Sequence, residues 1–327
     1  MLEEKRIKVR MIGGYTPEKY KVFGGAIATS LAIDLAFKDD KEIDFKRFAS
    51  DTDRDIDKLK EFIKDADIVH LDENVHIAAY FCKNNLKVDV LGPTLRSPIK
   101  VYYTNTEKTE YWECPYDADW YYSKRIIRLN HNEEKDKTLK QEYKGKGYSD
   151  KVDIILHAVN TDELLPSDKP KKYVLWAGDK YRYAKNFSFF EEVMKLTTLP
   201  DGYEFKVMSQ YDVKDYWNVL DETAILVNTS FYESFCCAMY EAQSKGVPTI
   251  YPKNLHGERI HEDSMLQVEY TPQAFSQAII GLLEDKPRLK QLGEYNRKYA
   301  VDFCSPKAMR DSIVEVYKDI YNKGSKE

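Results

Sequence analysis

A chain of 327 residues, 43% hydrophobic and 32% charged, has a globular composition and room for two α/β domains. A formal net charge of −5 argues against a general nucleic-acid binder, though not against a local basic groove. Five cysteines without C-x-x-C spacing suggest reduced thiols, a cytoplasmic setting and no zinc site.

The charged, then strand-like amino terminus has no signal-peptide core, and no run nears the about 20 apolar residues of a membrane span. At most a peripheral membrane contact is expected. Residues 7–12 run apolar into Gly13-Gly14, as a first parallel strand does, and a helix follows over about 26–37. Gly24 and Gly25 at its start would let a ligand approach the backbone closely. Strands are predicted over 43–48, 68–71 and 88–91, with helices over 53–64 and 75–84 between them. The aromatic stretch 93–122 reads equally as binding loops or as a sheet edge with its connections. A strand over 152–156 precedes a linker that starts at Ser167.

The pattern then restarts with strand 173–177, helix 187–196, strand 204–208, helix 213–220 and strand 224–227. Amphipathic helices over 273–283 and 287–299, and a long helix from about Pro306, close the chain. Strands alternating with helices argue for doubly wound parallel sheets, one in residues 1–166 and one in 167–304.

The stretch 226–251, LVNTSFYESFCCAMYEAQSKGVPTIY, reads as strand, tight loop, helix, turn and strand. Gly246 is placed to stop the helix before Pro248. Glu233 falls at the carboxyl end of the strand and Glu241 two turns into the helix, so both can face the crevice where open α/β sheets bind ligands. Backbone N–H groups at Ser234, Phe235 and Cys236, with the helix dipole, favour a diphosphate. A carboxylate there can accept from two neighbouring hydroxyls of a sugar or a ribose. These residues resemble the donor-binding motif of retaining family-4 glycosyltransferases, the glycosyl transferases group 1. Ser230, Glu233, Phe235, Glu241, Ala242, Gly246 and Pro248 match in register, with the glutamates eight residues apart. Thr229 stands for the usual proline, and Ser234 and Cys236 for two glycines, which narrows the loop facing the phosphate.

Other segments are similar to the same family. Asp67 and His70 match its D-V-V-H-x-H segment, but Asp72 replaces the second histidine; Asp72, Glu73 or His76 would then take its contact with the donor sugar. Asn160, Asp162 and Pro166 fit the crossing between domains. Lys185-Asn186 fits the lysine that reaches the donor diphosphate, whereas Asp179 stands where an arginine is usual. Arg182 or Lys180 would substitute, Arg182 first, because a guanidinium grips phosphate bidentately.

The resemblance implies a GT-B fold, two Rossmann-like domains facing a central cleft, with the helix of residues 305–323 packed back on the first. It implies a retaining, metal-independent glycosyltransferase with a nucleotide-sugar donor, UDP- or GDP-linked, and no cofactor or metal. The acceptor is open among glycan, lipid, protein and small molecule. Glu233 would hold sugar hydroxyls, Glu241 the ribose, and Lys185 with Arg182 or Lys180 the leaving diphosphate. Three alternatives stand beside it: a catalytically impaired nucleotide-sugar-binding protein, given Asp179 and Asp72; a GT-B-fold epimerase; and an enzyme that glucosylates DNA, against which the charge weighs.

Overall fold

The computed structural model describes residues 6–13, 25–49, 56–71, 89–94, 125–129, 152–209, 211–231, 233, 235–253 and 266–324. Asp72, Glu73, His76, Gly24 and Ser234 lie outside them, as does the expected helix over 75–84. The chain divides into two compact units, one of residues 1–17, 33–155 and 310–327, the other of residues 18–32 and 156–309.

The first unit is built on a parallel sheet in the order β2-β1-β3-β4-β5-β6. Its strands are β1 (Ile7–Ile12), β2 (Ile43–Phe48), β3 (Ile68–Leu71), β4 (Val90–Thr94), β5 (Arg125–Leu129) and β6 (Val152–Ile155). Helix α1 (Gly25–Ala36) follows β1, and α2 (Ile56–Ile63) follows β2. Strand β5 has no counterpart in the sequence reading, because its two arginines mask the short apolar run. The buried Arg10 on β1 is satisfied rather than stranded, with Nε and Nη2 donating to Asp65 at 2.9 and 2.8 Å. Such paired geometry is what makes an internal guanidinium tolerable.

The second unit carries β7 (Tyr173–Ala177), α3 (Phe187–Leu196), β8 (Glu204–Met208), α4 (Val213–Leu220), β9 (Thr223–Val227), α5 (Cys237–Ser244), β10 (Thr249–Pro252), β11 (Leu266–Val268), α6 (Pro272–Glu284) and α7 (Lys286–Phe303). Its parallel sheet has the order β11-β10-β9-β7-β8. Both faces are covered, which is why its strands read as continuous apolar runs. Val174, Trp176, Ile225, Val227 and Ile250 pack on one side with Phe190, Phe275 and Ile279. Leu175, Leu226 and Tyr251 pack on the other with Tyr216, Met239 and Tyr240. The alternation is the two-residue period of a strand.

Helix α8 (Pro306–Gly324) closes the chain. Within the first unit its Arg310 donates to Asp40 at 2.6 Å and Glu42 at 2.5 Å. His70 of β3 pairs through Nδ1 with the Tyr317 hydroxyl at 2.6 Å, both side chains fully buried.

Candidate functional site

In the second unit β7 is the first strand, and its successors β8 and β9 lie on opposite sides of it. Strand order therefore reverses at β7, and the loops leaving β7 and β9 flank the point where doubly wound sheets bind ligands. Lys185 and Glu233 sit on those two loops.

The loop after β7 makes one turn of 3-10 helix, Tyr183–Lys185, before Asn186 takes a left-handed conformation with φ 46° and α3 begins. Asp179 accepts from the Tyr181 backbone N–H at 3.0 Å and thereby shapes this loop. An acid suits that position as a turn former, which is a structural reason for aspartate where the similar family has arginine.

The Lys185 ammonium donates to Glu233 Oε1 at 2.5 Å, and the Ser230 hydroxyl donates to the same oxygen at 2.6 Å. Their side chains are 15% and 6% exposed. The Cys236 sulfur lies 3.9 Å from the ammonium, and the Asn228 amide donates toward that sulfur at 3.6 Å. Burial by itself lowers the Lys185 pKa, but the Cys236 sulfur and the Glu233 carboxylate outweigh it and hold the ammonium charged. Arg182 is close enough for its charge to act on Lys185, and its side chain is exposed. A cavity of about 10 Å³ beside the pair is lined by Lys185, Asn228, Ser230 and Cys236 together with Trp176 and Leu226, room for about one water.

Helix α5 starts at Cys237 with Cys236 as its N-cap, beyond Ser234 and Phe235, whose N–H groups the sequence reading had put at its start. Its positive end is therefore centred on residues 236–238 rather than 234–236. Phe235 precedes the helix and sits in a stack, 4.3 Å from the His157 ring and 4.5 Å from Tyr240. His157 donates through Nδ1 to the Ala158 carbonyl at 2.7 Å, so its Nε2 accepts from the Thr29 hydroxyl at 2.7 Å. Burial lowers its pKa to about 4 and keeps the ring neutral.

Glu241 lies on the buried side of α5. Burial raises its carboxyl to about 8; the nearby Trp217 indole opposes this but finds no partner in hydrogen-bond geometry. Lys180 is exposed; its backbone N–H donates to Ser209 at 3.1 Å and its ammonium lies 5.1 Å from the Tyr181 ring centre. Gly25 opens α1.

The fold thus gathers Lys185, Glu233 and Cys236, with Arg182 beside them. Ser230 and His157 complete the arrangement. Ser230 was legible as a motif match, whereas nothing near His157 in the sequence announces its contact with Phe235. Among the described residues no group of three His, Cys, Asp or Glu side chains could hold a metal ion, and no helix is long and apolar enough to cross a membrane.

No curated protein matches the chain. Solved structures of similar fold include sucrose-phosphate synthase from Thermosynechococcus elongatus, at 13% identity and TM-score 0.68 over 97% of this chain and 100% of that one. A glycosyltransferase from Rickettsia africae matches at 14% identity and TM-score 0.65, covering 96% and 98% of the two chains. HepE from Anabaena, in complex with UDP and glucose, matches at 11% identity and TM-score 0.65, covering 96% and 100%. These likenesses establish the fold, the GT-B arrangement of two Rossmann-like domains. Residues 184–299, which hold Lys185, Glu233 and Glu241, match the family model described as Glycosyl transferases group 1. With that domain in its second unit, the chain is a glycosyl-transferring enzyme of GT-B fold.

Proposed function

We propose that this enzyme moves a sugar from a nucleotide-diphosphate donor to an acceptor, with retention of configuration and without a metal. The observation that carries the reading is the buried Lys185–Glu233 pair at the point where strand order reverses. When the bond between the sugar and the diphosphate breaks, negative charge develops on the leaving oxygens. Lys185, with Arg182 or Lys180 from the same loop and the positive end of α5, would meet that charge with preorganised cations and dipoles. Glu233 holds the ammonium in place. On binding, the diphosphate would share Lys185, and Glu233 would turn its free acceptor capacity to sugar hydroxyls.

With burial pushing its carboxyl up to about 8, Glu241 would both accept from and donate to the vicinal hydroxyls of a ribose. Backbone N–H groups at the start of α5, from Cys236 onward, with Gly24 and Gly25, would complete the proposed donor contacts, and Asp72 is the candidate for the contact with the transferred sugar. HepE from Anabaena has been seen with UDP-glucose, which supports a UDP-linked donor ahead of a GDP-linked one. A cytoplasmic setting is part of the same proposal. A second reading, a donor-binding protein with impaired catalysis, is favoured by the exposed Asp179 in the diphosphate loop.

A thermal-shift screen of nucleotides and nucleotide sugars, on the wild type and Glu241→Ala, tests the proposal. At about 100 times the dissociation constant, a bound donor stabilises by about 2.7 kcal/mol. We expect one nucleotide family to shift the wild type and not the variant, and its diphosphate to be released slowly with or without EDTA. Binding without release would select the second reading, and no shift by any nucleotide would overturn both.

A further inference from the structure

Lys185 is useful only if its ammonium stands where charge develops, and its backbone is not held by ordinary helix geometry. It is followed by Asn186 at φ 46°, one of two non-glycine residues in the left-handed region among those described. Such a conformation costs about 1–2 kcal/mol and persists only where the surroundings enforce it.

The surroundings here are two hydroxyl groups. The Thr229 side chain, fully buried, accepts from the Trp176 indole N–H at 2.9 Å. Its own hydroxyl hydrogen faces the Lys185 carbonyl at 3.0 Å and the Asn186 carbonyl at 3.2 Å. The Tyr270 hydroxyl donates to the Thr229 carbonyl at 2.7 Å and accepts from the Asn186 side-chain amide at 2.6 Å. Tyr270 is itself stacked on Phe189 of α3 at 4.4 Å. Trp176 belongs to β7, Thr229 to the loop leaving β9 and Tyr270 to the segment entering α6, so three separate segments close on one turn. The Phe231 backbone N–H adds a bond to the Ala184 carbonyl at 3.2 Å.

We propose that Thr229 and Tyr270 are positioning residues that clamp the Lys185–Asn186 turn and so aim the Lys185 ammonium at the leaving group, a role that rests on the function proposed above. Threonine is suited to it because one hydroxyl can accept from the indole and donate to the turn at once. Removing it strands a buried indole N–H and takes a donor from two part-buried carbonyls of the turn, which is then free to relax. A displacement of about 1 Å at a reacting centre can lower a rate about 100-fold.

The test compares Thr229→Val, Thr229→Ser and Tyr270→Phe with the wild type by two readouts. The first is steady-state release of UDP from UDP-glucose. Thr229→Val should lower kcat between about 10- and 100-fold, with KM within about threefold, and Thr229→Ser should stay within threefold of wild type in both. The second needs no turnover: reductive methylation of lysines, followed by mass spectrometry of the Lys185 peptide. The clamped ammonium reacts slowly in the wild type and at least tenfold faster in Thr229→Val, with Thr229→Ser close to wild type. Tyr270→Phe removes one oxygen from a half-buried ring and should move both readouts the same way by a smaller factor, so the clamp can be judged even where Thr229→Val does not fold. Unchanged Lys185 labelling in Thr229→Val and Tyr270→Phe would overturn the clamp. A wild type that neither binds nor cleaves any nucleotide sugar would overturn the function proposed for Lys185, while the labelling ratio would still decide whether Thr229 and Tyr270 hold it.

Discussion

Replacing Lys185 by methionine keeps the length of the side chain and removes its charge, which strands the Glu233 carboxylate at 6% exposure. At 2.5 Å and an effective dielectric of about 20, the gross attraction of the pair is roughly 6–7 kcal/mol. Desolvation of both groups returns much of that, and breaking one side of a buried pair typically costs about 3–5 kcal/mol. Ser230 still donates to Glu233 at 2.6 Å, so the lower end applies, about 3 kcal/mol for Lys185→Met. Glu233→Gln retains an acceptor for the ammonium and should cost less, about 1–2 kcal/mol. The double variant leaves no buried charge, so the coupling measured by the cycle should be about 2 kcal/mol.

Urea unfolding followed by tryptophan fluorescence reads this once Trp112 and Trp120 of the first unit are replaced by phenylalanine, because Trp176 and Trp217 both lie in the second unit. The Lys185 pKa is raised above 10.5 in the folded state. Its stabilising contribution is therefore complete below 10.5 and lost only as the pH climbs through the folded value, and a cycle run at pH 7 sees all of it. A cost under about 1 kcal/mol for Lys185→Met, the size expected of a solvated surface pair, would refute the buried pair and with it the electrostatic basis of the proposed site.

Three further outcomes follow from the same geometry. Burial pushes the Glu241 carboxyl up to about 8 from its ordinary 4.5, so the folded state keeps a proton that the unfolded chain has lost; stability should fall as the pH rises from about 4.5 to 8. Glu241→Gln should flatten that slope and exceed the wild type by on the order of a few kcal/mol at pH 8, and equal slopes in urea titrations at pH 5 and 8 would count against a buried carboxyl. His157 runs the other way: with its pKa lowered from 6.5 to about 4, its contribution is full above 6.5 and lost as the pH falls toward 4, so His157→Gln should blunt the acid side of a Tm profile. A Cβ on Gly293 in α7 would collide with the Gly246 carbonyl, whereas one on Gly281 in α6 meets nothing within 4 Å; Gly293→Ala should cost about 1–3 kcal/mol while Gly281→Ala stabilises by up to about 1 kcal/mol, a contrast in sign that Tm measurements settle.

The local structure was largely written in the sequence, for reasons of reach. Strands β7, β8 and β9 and helices α3 and α4 fall where apolar spacing puts them, because each pattern is satisfied within a few residues of itself. Gly246 ends α5 with φ 69°, as its place before Val-Pro suggests, since a left-handed turn there tolerates few other residues. The match of Glu233 and Glu241 to a donor motif was visible for the same reason: strand end, loop and helix are contiguous. Strand β5 was missed because two arginines break up an apolar run of only five residues, RIIRL.

What only the tertiary structure decided are contacts between segments far apart in the chain. Glu233 is 48 residues from the lysine it holds, and Thr229 is 53 from the indole it accepts; no periodicity reports either. Asp179 looked like a misplaced charge until the Tyr181 N–H showed it shaping a turn. Glu241 looked like a carboxylate aimed at a crevice until the packing of α5 showed how far burial shifts its proton. Sequence spacing set which elements form, because backbone geometry is local; the sheet order that brings the ends of β7 and β9 together set which side chains meet, because burial and charge act through space.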